Sequence, residues 1–248
     1  LIKNKNFRNL ILVAVLVLMA SANGVSHLGP LKQQWQLSQQ GMQLFIWLIV
    51  LVMTIIAGRV VPMFTANGTG TQRCTPLPLL EMSCMISSIL LVITQGLGLA
   101  RLLPEAVNIL LLLSAAALHL TRLIRWRFWI TLKTPLLWSI HLSYLFIPIG
   151  LMAIAGSYCI DLLTNVTAEH WLLAGAMANM MLAMMARVAL GHTGRPLVSR
   201  PIMSLAFSTL ALAGVIRSLG AWLFVDQYLN SLLFAAGLWC FAFALFSI

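Results

Sequence analysis

The run Gly41-Met42-Gln43-Leu44-Phe45-Ile46-Trp47-Leu48-Ile49-Val50-Leu51-Val52-Met53-Thr54-Ile55-Ile56-Ala57-Gly58-Arg59-Val60-Val61 decides the fold class. Between Leu44 and Ala57 the only polar side chain is Thr54, and no charge occurs before Arg59. A helix of about 20 such residues crosses the hydrocarbon of a bilayer. Apolar residues fill every face of the run, so it has neither the stripe of a surface helix nor the two-residue alternation of a barrel strand.

Seven further stretches read the same way: Phe7 to Ser26, Leu80 to Leu99, Glu105 to Leu123, Leu136 to Gly156, Glu169 to Leu190, Ile202 to Gly220 and Tyr228 to Ile248. Hydrophobic residues make up 61% of the chain and charged residues 8%, with a mean hydropathy of +0.97, values that exclude a soluble domain of 248 residues. The expected fold class is all-α, a polytopic transmembrane bundle forming a single integral membrane domain over residues 1–248. The net charge of +10 forms no block of the kind that binds nucleic acid. Its distribution is topological. Lys3, Lys5, Arg8, Arg59, Arg73, Arg122, Arg125, Arg127, Lys133, Arg187, Arg195 and Arg200 fall on one side, and Lys32, Arg101 and Arg217 on the other. Basic loops stay cytoplasmic, which predicts that both ends of the chain face the cytoplasm.

Cys74, Cys84, Cys159 and Cys240 form no metal or c-type haem motif and predict no disulfide. The sequence has no phosphate loop, metalloprotease helix or nucleophile–histidine–carboxylate set, so no catalytic constellation is visible. Chemistry is left to the histidines. His27 reads as a loop residue. His119, near the end of the fourth span, and His141, about six residues into the fifth, share a depth across a short basic turn, given a rise of about 1.5 Å per residue. Such a pair can hold iron or another metal between antiparallel helices, or can equally serve interhelical hydrogen bonds. His170 opens the sixth span at the opposite face. Met177, Met180, Met181, Met184 and Met185 follow it at helical spacing, read as packing or as thioethers for Cu(I).

Two polar strings follow apolar runs. In Gly191-His192-Thr193-Gly194-Arg195-Pro196 the glycines and proline are expected to break the helix, and Pro62 is expected to break the second span just after Arg59. Arg59, Arg187, His192 and Arg195 are therefore expected to gather as a positive cluster for an anion or a propionate. The rival explanation is the positive-inside rule alone.

Gly58-Arg59-Val60-Val61-Pro62-Met63-Phe64-Thr65-Ala66-Asn67, the segment from Trp138 to Pro148 with His141 and Tyr144, and Met185-Ala186-Arg187-Val188-Ala189-Leu190-Gly191-His192-Thr193-Gly194-Arg195-Pro196-Leu197 resemble the NnrS family, and the resemblance runs over nearly the whole chain. It implies a bacterial inner-membrane protein of about twelve spans that contains haem and copper and takes part in the response to nitric oxide. This chain, beginning at Leu1, would be the later two thirds, without the family's histidine-rich early segment. His119, His141 and His170 become candidate axial or metal ligands, and Arg59, Arg187, His192 and Arg195 candidate cofactor partners. The other reading from the residues is a carrier of an anion or metal, gated by the arginines at proline-broken helix ends.

Overall fold

The computed structural model describes residues 10–247. Eight helices long and apolar enough to cross a membrane follow one another: α1 Leu10–Leu31, α2 Trp35–Thr69, α3 Pro78–Gly96, α4 Glu105–Arg125, α5 Pro135–Gly156, α6 Asn165–His192, α7 Pro201–Gly220 and α8 Val225–Phe246. No strand occurs among the described residues. Each expected span is present. The start of the first, with Lys3, Lys5 and Arg8, lies outside the described residues.

α5 is the centre of the bundle. In its most apolar stretch 67% of residues are buried, against 11% in α1 and in α8. It packs against α2, α4, α6 and α7, while α1 leans mainly on α2 and α8 mainly on α7. Its core carries Ile140, Tyr144, Ile147, Leu151 and Ile154, all essentially inaccessible.

α2 departs from expectation. At 35 residues it is about 50 Å long, well beyond a hydrocarbon core of about 30 Å. Pro62 lies inside it and does not end it. A proline removes one backbone donor and crowds the carbonyl four residues back, a local cost that the buried packing of Ala57, Val61 and Thr65 on the same helix outweighs. The helix ends instead at Gly70, whose φ of 66° lies in the left-handed region.

Three helices contain a π-helical turn: Val92–Gly96 in α3, Trp171–Met177 in α6 and Ile216–Gly220 in α7. Those of α6 and α7 border one groove. Widened turns of this kind re-aim the side chains around them.

Candidate functional site

The most connected polar group lies where α2, α3, α4 and α5 meet, and it is built on Arg122. Gly58 of α2 makes room for it, since a Cβ at that position would overlap the guanidinium. Glu81, in the first turn of α3, pairs with Arg122 in a two-pronged salt bridge. Arg122 Nη1 donates to the Thr54 carbonyl at 3.0 Å and to the Tyr144 hydroxyl at 3.2 Å. The guanidinium also lies 5.1 Å from the centre of the Trp126 ring.

Donor-only arginine sets the direction of everything beyond it. Because Tyr144 accepts from Arg122, its own proton goes to His119 Nδ1, 2.7 Å away. Nδ1 is then the accepting nitrogen, and Nε2–H donates to Ser88 Oγ at 3.3 Å. Ser88 donates to Thr54 Oγ1 at 3.2 Å, and Thr54 to the Val50 carbonyl at 2.9 Å. This one polarity satisfies every member, and the reverse leaves the phenol proton without an acceptor. The chain ends in a guanidinium at one side and a helix carbonyl at the other, so it is a neutral lock across four helices.

His141 is likewise engaged at both nitrogens. Nδ1–H donates to the Leu137 carbonyl at 2.9 Å, and Nε2 accepts from Thr65 at 3.3 Å. His119 and His141 do share a depth, but between them runs an aromatic series: His119 to Tyr144 (5.7 Å between ring centres), Tyr144 to Trp126 (4.6 Å) and Trp126 to His141 (6.4 Å). In this arrangement neither imidazole keeps a free nitrogen for iron, and both are at most 3% exposed.

His170 differs. Its Nδ1–H donates to the Val166 carbonyl at 2.6 Å, which leaves Nε2 as the lone-pair nitrogen, with no hydrogen bond among the described residues. A histidine that ligates a metal is commonly oriented by such a second-nitrogen bond. The ring lines a groove of about 370 Å³ between α6, α7 and α8, together with Met177, Arg217, Trp239 and Cys240. Glu169, its neighbour in sequence, turns away: it is buried and accepts from Gln43 and Asn165, each at 2.8 Å. The methionines share one broad face that straddles the edge of the buried surface. Met180 is buried while Met181 and Met185 are 51% and 42% exposed, because positions 180 and 181 are separated by about 100° around a helix. Among the described residues no group of three His, Cys, Asp or Glu side chains could hold a metal ion, so a copper centre of that kind does not fit them.

The expected arginine cluster divides. Arg59 lines a cleft with Arg73, Arg122 and Arg125, beside Glu81 and Trp126. Arg187, 6% exposed, stacks on the Phe64 ring at 4.0 Å instead. His192 and Arg195 are exposed at the end of α6 and in the turn after it, where Gly194 takes the positive φ and Gly191 stays helical. The helix thus breaks inside the Gly191–Pro196 string, as expected, with its last residue at His192.

Glu81 and Ser88 were not singled out by sequence, and Tyr144 and Thr54 were named there without a role. One signal was present: Glu81 is one of only five acidic residues, in the first turn of a span whose antiparallel successor carries Arg122 in its last turn, at the same depth. Comparison with curated proteins and with solved structures gives no match. The chain matches the family described as NnrS protein over residues 1–248, its entire length, and therefore belongs to the NnrS family.

Proposed function

We propose that this protein is a haem-binding component of the nitric oxide response in a bacterial inner membrane, with His170 as the ligand contributed by this chain. The observation that carries the reading is the meeting of membership in the NnrS family with one histidine whose Nε2 is uncommitted and whose ring lines a groove. When bound, haem supplies an iron with an open position that nitric oxide can take. Val166 fixes the His170 tautomer, Leu173, Ala213 and Trp239 exclude water, and Arg217 offers a cation to a propionate. His119 and His141 hold helices together in this scheme.

The test is the optical spectrum of the full-length protein, reduced, with and without nitric oxide. A Soret band that shifts with nitric oxide is expected in the wild type, in His119→Ala and in His141→Ala, and is expected to vanish or move in His170→Ala. A band lost only in His119→Ala or His141→Ala would transfer the ligand role to the central helices. A folded but colourless wild type from haem-replete cells would sink the haem reading in favour of an anion or metal carrier.

A further inference from the structure

The arginine-lined cleft has no part in that scheme. It encloses about 560 Å³ between α2, the loop of residues 70–77, the start of α3 and the end of α4. Four guanidiniums line it and one carboxylate, Glu81, which Arg122 already holds. Arg122 is thus already paired. Arg125 makes one exposed hydrogen bond, to the Thr75 carbonyl at 3.2 Å. Arg73 makes no hydrogen bond or ion pair among the described residues. The other walls are apolar: Ile55, Leu77, Leu80 and Met85.

The cleft therefore asks for an anion with an alkyl part. A small soluble anion would satisfy the arginines and leave the apolar walls wet. It also opens at the end of the bundle where basic residues collect, the level of the headgroups in the leaflet that attracts them. We propose that it binds the headgroup of an anionic lipid, with Arg73 and Arg125 clamping a phosphate that has no ammonium beside it and the apolar walls covering the glycerol and first methylenes. In a zwitterionic headgroup the guanidiniums would repel that ammonium.

Cys74 lines the same cleft and is half-buried, so its reactivity reports occupancy. The full-length protein would be placed in phosphatidylcholine bilayers with or without a minor fraction of phosphatidylglycerol, and maleimide labelling at Cys74 followed by peptide mass. Phosphatidylglycerol is expected to slow labelling about fivefold or more, and each of Arg73→Gln and Arg125→Gln to cut its apparent affinity by about fivefold. Arg200→Gln, which removes an exposed charge elsewhere, should leave the protection intact. Cys84 is fully buried, and its continued silence certifies that a variant is folded. Equal protection by inorganic phosphate in phosphatidylcholine alone would overturn the lipid as source and leave a soluble anion. Absence of protection by either, or protection that survives in the folded Arg73→Gln/Arg125→Gln protein, would overturn the site. No haem signal enters the readout, so this result and that of the spectrum stand apart.

Discussion

One hydroxyl, that of Tyr144, joins the salt bridge of α3 and α4 to the imidazole of α4, accepting from Arg122 and donating to His119. Tyr144→Phe keeps the ring against Trp126 and deletes only that joint. It leaves a buried imidazole nitrogen and one guanidinium donor unsatisfied, a loss of about 1–3 kcal/mol. Thermal unfolding in detergent should show a lower midpoint with the helical spectrum unchanged; a midpoint equal to wild type would mean that the lock contributes nothing to stability. Gly58→Ala acts on the same group from the other side, because the new Cβ overlaps the guanidinium. Arg122 would have to leave its carboxylate or α2 would have to move, at a cost of about 1–3 kcal/mol. The sequence made the histidines visible, since a titratable ring inside an apolar run stands out. It hid their partners: Ser, Thr and Tyr are ordinary in membrane helices, and which of them meets a histidine depends on how two helices are rotated, which hydropathy does not encode.

Helix packing at the scale of the element turns on small residues. At Gly214 in α7 a Cβ would come 2.8 Å from the Ala174 carbonyl oxygen and 2.9 Å from the Gly175 Cα of α6. Both are backbone atoms, in the π-helical stretch, so neither can yield without moving a helix. Gly214→Ala is expected to destabilise by about 1–3 kcal/mol and to disturb the His170 groove that the two helices share. Gly237 in α8 has nothing within 4 Å of its notional Cβ, and Gly237→Ala should leave the melting midpoint in place. If both variants behave alike, the α6–α7 approach is not tight. The element count was readable from hydropathy because each span must satisfy its own backbone. Two features were not. Pro62 was read as a terminator, yet buried packing carries α2 through it. The π-helical turns have no compositional signature, and they re-aim the side chains around the groove near His170.

The whole molecule has an orientation that charge predicts and contacts make coherent. Arg125 and Arg127 at the end of α4 reach the Thr75 and Gln72 carbonyls in the loop after α2, and Arg187 stacks on Phe64 near the end of α2, so these basic segments lie at one end of the bundle. Lys32, Arg101 and Arg217 are the three basic residues assigned to the other end. The positive-inside rule predicts that the basic end faces the cytoplasm. Cys74 belongs to that end, and Cys159, exposed just after α5, to the opposite one. A membrane-impermeant maleimide applied to intact cells should therefore modify Cys159 and spare Cys74 until the membrane is opened. Cys84, buried within α3, should stay unmodified in both conditions and mark an intact fold. Labelling of Cys74 from outside, with Cys159 silent, would invert the molecule and move the arginine cleft to the outer leaflet. The anionic-lipid proposal needs the cleft to face the leaflet where basic segments are held, so this topology experiment constrains it before any lipid is added.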